Sequence, residues 1–155
     1  MQSLTNYFFL TMDIQYINEN MLSVLHWKAR ESERKRMNHD LRTSAEDRSQ
    51  RMLNALEPGT VVPVHRHVDT DETVICLEGR LEEIIYQELP TMDVGGPGRE
   101  VTELLRIELC PSKGKYGVQI PKGVWHSINV IEPSTIFEAK DGPFVPAEPE
   151  VIVVV

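Results

Sequence analysis

The chain has only two cysteines in 155 residues, Cys76 and Cys110, far apart and without a repeated spacing. That leaves neither a disulfide framework nor a cysteine zinc motif, and a reducing cytoplasm is the simplest location for such a chain. Long apolar runs are missing too, since no stretch approaches the roughly 20 apolar residues that cross a bilayer. The opening MQSLTNYFFLTM lacks a basic leading region and a small-residue cleavage site, so it does not read as a signal peptide. Positive charge is in the minority, 16 Lys and Arg against 24 Asp and Glu for a formal charge of −8. Nucleic acid and anionic membranes are therefore not expected as partners of the surface as a whole. Nor is there a Ser-His-Asp order, a glycine-rich phosphate loop, a nucleotide signature or an internal repeat.

What remains is about one domain in size, enough to bury a core without covalent staples. A short strand is expected over residues 13–17. Asn18 is placed to cap a helix running through ENMLSVLHWKARESERKR, in which Leu22, Leu25 and Ala29, with Met21 beside them, form an apolar stripe. From residue 28 to residue 51 charges of both signs crowd together, which reads first as a solvated helix face and loop. After Pro58 the pattern changes to short β-rich runs: TVVPVHRHV, ETVICLE, RLEEIIYQEL, TELLRIEL, GVQI, VWHSINVI and STIFEAK. Gly79 and Arg80 suggest a hairpin between two of these runs, and MDVGGPGRE a looser connection. Seven or more short strands favour an all-β jelly-roll barrel with an N-terminal helical segment over a parallel α/β sheet. The tail VIVVV would aggregate if free, so it is expected to pair with a sheet edge or with another subunit.

The chemistry concentrates in GTVVPVHRHVDTDETVICLEG, residues 59–79. His65 and His67 are two apart in a β-branched stretch, so their side chains share a face and can grip one ion together. Glu72 follows a four-residue connection rich in Asp and Thr, long enough to return a carboxylate beside the imidazoles. His126, much later, completes a set of three nitrogens and one anionic oxygen. Such a set suits one divalent transition metal, Fe, Mn, Ni, Co, Cu or Zn, better than Ca or Mg, which prefer oxygen. By contrast His26 and His39 read as surface or hydrogen-bonded residues.

These residues stand at the fixed places of a known pattern. Gly59, His65, His67, Glu72 and Gly79 fit the first motif of the cupin superfamily, and Pro121, Lys122, Gly123 and His126 fit the second. One departure is that Asn129 lies three residues after His126, where the pattern has four. With RKRMNHDLR, RMLNALEPGT, GVQIPKGVWHSI and FEAKDGPF, residues 13–146 resemble the WbuC-type cupin-fold metalloproteins. That resemblance implies a cupin jelly roll (a double-stranded β-helix), a metal at His65, His67, Glu72 and His126, a homodimer, and an association with surface polysaccharide. The expected organisation is then an extension over 1–11, a helix and connecting segment over 12–57, the barrel over 58–146 and a tail over 147–155.

Several neighbours of the ligands carry further expectations. Val61, Val74, Ile120 and Ile128 are candidates to wall the site, and Cys76 shares its inward parity, as an inert buried thiol or a redox group. Trp125, next to His126, should point the other way. A sharper reading of the charged segment has Arg36, Asn38 and His39 folding over the pocket mouth to bind an anionic small-molecule ligand. Catalytic assignments stay open, with His39, Glu138 and Lys140 the candidates for an acid or base beside the ion, and solvent exposure the plainer reading of the last two. The function expected is that of a metal-dependent enzyme, an isomerase or an Fe(II) oxygenase, acting on a small, sugar-related molecule. A noncatalytic metal-dependent binding protein is the alternative.

Overall fold

The computed structural model describes residues 14–90, 98–145 and 150–155. The expected extension over 1–11, residue 13 of the first expected strand and most of the MDVGGPGRE connection lie outside those residues. The elements in order are α1 (Glu19–Glu31), β1 (Arg36–Asp40), β2 (Ser49–Leu56), β3 (Glu72–Glu88), β4 (Arg99–Leu109), a short 3₁₀ turn (Pro111–Lys113), β5 (Gly117–Ile120), β6 (Trp125–Asp141) and β7 (Ile152–Val154).

Helix α1 starts where Asn18, in extended conformation, accepts a hydrogen bond from the Met21 N–H at 3.0 Å. Among the described residues no strand precedes it, and residues 14–17 are irregular. It ends at Glu31 rather than continuing through RKR, because Ser32 turns extended and Lys35 takes φ +55°. Leu22, Leu25 and Ala29 pack against Leu53 and Ala55, with Met21, Met37, Leu41 and Phe137 at the margin. Each fully buried Leu in such a cluster stabilises by about 1.5–3 kcal/mol.

The charged segment read as helix face and loop instead forms β1 and β2, an antiparallel pair that extends the sheet in the order β1-β2-β6-β3-β4-β7, with β5 also on β3. Alternation hides them from a hydropathy reading. One face carries Met37, Leu53 and Ala55 toward α1, whereas the other carries Arg36, Asn38, Met52 and Asn54 into a cavity.

Two long strands, β3 and β6, dominate the molecule. Their ladder runs from Glu72 opposite Lys140 at one end to Tyr86 opposite Trp125 at the other. The hairpin expected at Gly79 and Arg80 does not form; β3 continues through them, with register shifts between residues 76 and 81. A bulge of this kind bends a strand and increases its twist. Gly79 is required there, because at φ +87° an added Cβ would lie 2.1 Å from Pro133 O on β6. Past the bend, the ladder curls over the core of Leu56, Val74, Cys76, Leu81, Leu109, Ile120, Val130 and Ile136. At the far edge, β7 pairs in parallel with β4, Ile152 opposite Arg99.

Candidate metal centre

The bend is what assembles the site. Glu72 and Ile85, the partner of His126, lie at opposite ends of β3, a separation of about 40 Å on a straight strand. In the curled sheet, Glu72 Oε2 lies 2.9 Å from His126 Nε2.

Backbone pairing aims the histidines. His65 and His126 face each other as an isolated bridge, the N–H of each donating to the carbonyl of the other at 3.0 and 2.9 Å. Both imidazoles therefore leave the same face. The run TVVPVHRHV forms no strand beyond this bridge. A turn from Pro121 to Val124 delivers His126; its Gly123 adopts φ +82°, and the Gly123 N–H donates to His67 O at 2.7 Å. That bond ties the two motifs together through the main chain.

The donor atoms of His65, His67, Glu72 and His126 all lie within 4.8 Å of one another. His67 Nε2 is 3.3 Å from the same Glu72 oxygen that His126 approaches. Nδ1 of His65 and of His126 each lies 2.9 Å from a backbone carbonyl, that of Pro63 and of Val124. A carbonyl only accepts, so each Nδ1 carries a proton, and Nε2 is the nitrogen each ring turns toward the shared centre. Burial, reinforced by repulsion from His126, pushes the His65 imidazole down to about 4, neutral at pH 7. Burial opposes ionisation of Glu72, yet hydrogen bonds from His126 and His67 and the charge of Lys140 hold its carboxyl well below the usual range. A neutral imidazole at His65 and an ionised carboxylate at Glu72 are donor states that a divalent transition metal needs.

The centre opens into a cavity of about 570 Å³ whose far wall is the polar face of β1 and β2. Arg34, Arg36, Asn38 and Arg42 line it, but His39 does not. Strand alternation turns His39 to the opposite face with Met37, where its Nε2 lies 2.7 Å from Gln15 Oε1. Glu138 and Lys140, for which solvent exposure was the plainer reading, both enter the cavity, because their register opposite Val74 and Glu72 sets them on the inner face. Lys140 Nζ donates to Glu72 Oε1 at 2.7 Å and lies 3.7 Å from Glu138. Burial opposes the Lys140 charge, but Glu138 and Glu72 raise its pKa; burial and repulsion from Glu72 raise that of Glu138.

Val74 and Ile128 line the cavity and Ile120 is buried in the core, but Val61 is 77% exposed and Val62 takes the wall. Cys76 belongs to the core, its thiol 3.2 Å from Glu78 O and pushed up to about 11 by burial. Trp125 points away from the imidazoles; its indole N–H donates to Glu88, and the Arg66 guanidinium lies 4.4 Å from the ring centroid.

The residue that the motifs do not flag is Glu83. It is 1% exposed and lines the cavity, and its carboxyl oxygens find no hydrogen-bond partner among the described residues. Parity along RLEEIIYQEL separates it from Glu82: Glu83 shares its face with buried Leu81, whereas Glu82 meets Arg106 and Asn129 outside.

A family model described as a domain of unknown function, DUF6016, matches residues 17–93. No curated protein matches the chain. Among solved structures, a cupin-2 domain protein from Shewanella frigidimarina is 22% identical, covering 85% of this chain and 98% of its own, with a TM-score of 0.52. A conserved protein of unknown function from Streptococcus pyogenes is 14% identical, covering 86% and 94%, with a TM-score of 0.53. CapF, solved with the inhibitor 3-isopropenyl-tropolone, is 18% identical over 75% of this chain and 32% of its own, also at 0.53. Strand order, the two motifs and these neighbours agree, and the chain has the cupin jelly-roll fold.

Proposed function

We propose that the chain is a metal-dependent enzyme acting on a small anionic, oxygen-rich molecule, sugar-related as the resemblance to WbuC-type proteins implies. One observation carries the reading: His65, Glu72 and His126, clustered with His67, line a cavity with Lys140, Glu138 and a wall bearing Arg34, Arg36 and Arg42. His65, His67, Glu72 and His126 would hold one divalent transition metal. Bound there, the ion supplies Lewis acidity toward a carbonyl, hydroxyl or carboxylate oxygen. Arg34 and Arg36 hold the anionic end of the substrate by charge-assisted hydrogen bonds, Arg42 being paired with Asp40 at 2.7 Å, and Asn38 adds a neutral donor and acceptor. Lys140 steers Glu72 through its 2.7 Å hydrogen bond, which leaves Glu138, 3.7 Å from Lys140, as the candidate for an acid or base. Isomerisation of a sugar derivative fits this arrangement; oxygenation would need Fe(II) in the site and dioxygen as co-substrate.

A noncatalytic ligand-binding role is the second reading, and the Lys140–Glu138 pair beside the cluster favours the enzyme over it. Metal-loaded protein tested for turnover of uronates, sugar phosphates and small hydroxy acids decides between them. Product formation that disappears on chelation supports the enzyme, and tight binding without product supports the binding protein. We also propose a cytoplasmic homodimer that takes neither nucleic acid nor membrane as partner, which light scattering and lipid and nucleic-acid binding assays test.

A further inference from the structure

Glu83 is costly to keep. A buried carboxyl without a partner loses its hydration and regains nothing, so its retention at the wall of a cavity calls for a compensating contact. Its position suggests one. Ile85 pairs with His126, and Glu83 pairs with Ile128, so Glu83 is the diagonal neighbour of His126 on the same inner face, roughly 7–8 Å away between backbones. The arginine-bearing wall of β1 and β2 lines the same cavity, so a molecule lying across it has its anionic end on the arginines and a second polar group at Glu83.

We propose that Glu83 is a specificity-determining residue: a protonated carboxylic acid that donates a hydrogen bond to a neutral carbonyl or hydroxyl oxygen of the bound molecule. This rests on the small-molecule reading of the cavity and names the chemistry of the second contact. Burial, with repulsion from Glu72 and Glu138, raises its pKa well above the usual carboxyl value, favouring the neutral acid, which can donate where an ionised carboxylate cannot. The ligand is then bipolar, anionic at one end and an uncharged oxygen acceptor at the other. Dianions with a charged group at both ends are rejected, because they would present a second charge to a buried acid.

The test uses full-length protein loaded with Co(II), whose visible spectrum reports occupancy of the ion's open positions. The probes are D-gluconate and D-glucuronate, with D-glucarate as the doubly charged counterpart. Affinities are measured by calorimetry for wild type, Glu83→Gln and Glu83→Leu, with metal content checked in each. Infrared difference spectra follow the protonated carboxylic acid stretch. Expected are a carboxylic acid band at pH 7 that vanishes in Glu83→Gln and shifts when a monoanionic probe binds, and weaker binding by at least about tenfold in Glu83→Leu. Glu83→Gln, which retains an N–H donor, should lose less than about threefold, and D-glucarate should bind more weakly than D-gluconate. If the probes bind wild type and both variants equally, or the band is absent or unmoved, the assignment of Glu83 is overturned while the metal site stands. If no probe binds metal-loaded wild type, the small-molecule reading falls and takes this inference with it.

Discussion

Two histidine–carboxylate clusters stand on opposite sides of the β3–β6 ladder, and they are built to opposite ends. Around His26, Nδ1 lies 2.8 Å from Glu57 and Nε2 lies 3.0 Å from the Thr135 hydroxyl, which itself donates to Glu78 at 2.8 Å. Arg30 closes the group at 3.3 Å from Glu57. Both ring nitrogens are taken by side chains, and the cluster fastens α1 to the sheet. At the other site, the outer nitrogens of His65 and His126 go to backbone carbonyls, and the inner ones converge on Glu72 without a partner of their own for each. A carboxylate beside a histidine thus says little. Convergence of several imidazoles, each oriented by the main chain, is what marks a centre for metal.

The comparison breaks most visibly if a ligand is removed. His126→Ala should bring bound metal below about a tenth of wild type by elemental analysis, since even indirect partners of a ligand are worth 10–100-fold in affinity. Apo-protein stability should change much less. Unchanged metal stoichiometry would erase the distinction between the clusters. The reverse substitution, His26→Ala, leaves the buried Glu57 without its main partner and should cost about 3 kcal/mol in urea unfolding. Metal content should stay at the wild-type level; a parallel loss of metal would mean that the clusters are coupled.

The clustering of His65, His67, Glu72 and His126 was legible because they stand at the fixed spacings of two motifs. The wall opposite them was not. In β1 and β2 the inward residues are polar, so alternation of Arg36, Asn38 and Asp40 with Met37 and His39 imitates a charged loop, and the helix-side contacts that reveal the strands are long-range. The same alternation, counted within RLEEIIYQEL, separates Glu83 from Glu82, but a carboxylate is assigned to solvent by default. Gly79 misled for another reason: a positive φ serves a bulge as well as a hairpin, and only the approach of Pro133 O distinguishes them.

Glu83 sharpens the comparison, being a carboxyl in the cavity beside His126 with, among the described residues, no partner of the kind Glu57 has. Glu83→Leu should raise stability of the apo-protein by about 1–3 kcal/mol at pH 7. The gain depends on pH in a defined direction. Burial lifts the folded-state pKa of Glu83 well above 4.5, so above 4.5 the unfolded chain releases a proton that the folded chain keeps. Folded wild type therefore loses stability as pH rises from 4.5 toward the folded pKa, and the advantage of Glu83→Leu should grow over that interval. A gain that shrinks with rising pH would show that the carboxyl is ionised in the fold.

The smallest effect tests whether the His26 cluster acts through its helix. Asn18 caps α1 two turns before His26, and its side chain satisfies the Met21 N–H at 3.0 Å. Asn18→Ala should cost about 1 kcal/mol by loss of that cap. If the cluster anchors α1 as a unit, the cost in the His26→Ala background should fall below this value, since the helix end is then already loosened; independent effects would simply add. Urea midpoints of the two single variants and the double variant measure the coupling directly. Metal content, set across the sheet by main-chain contacts that neither residue touches, should be the same in all three.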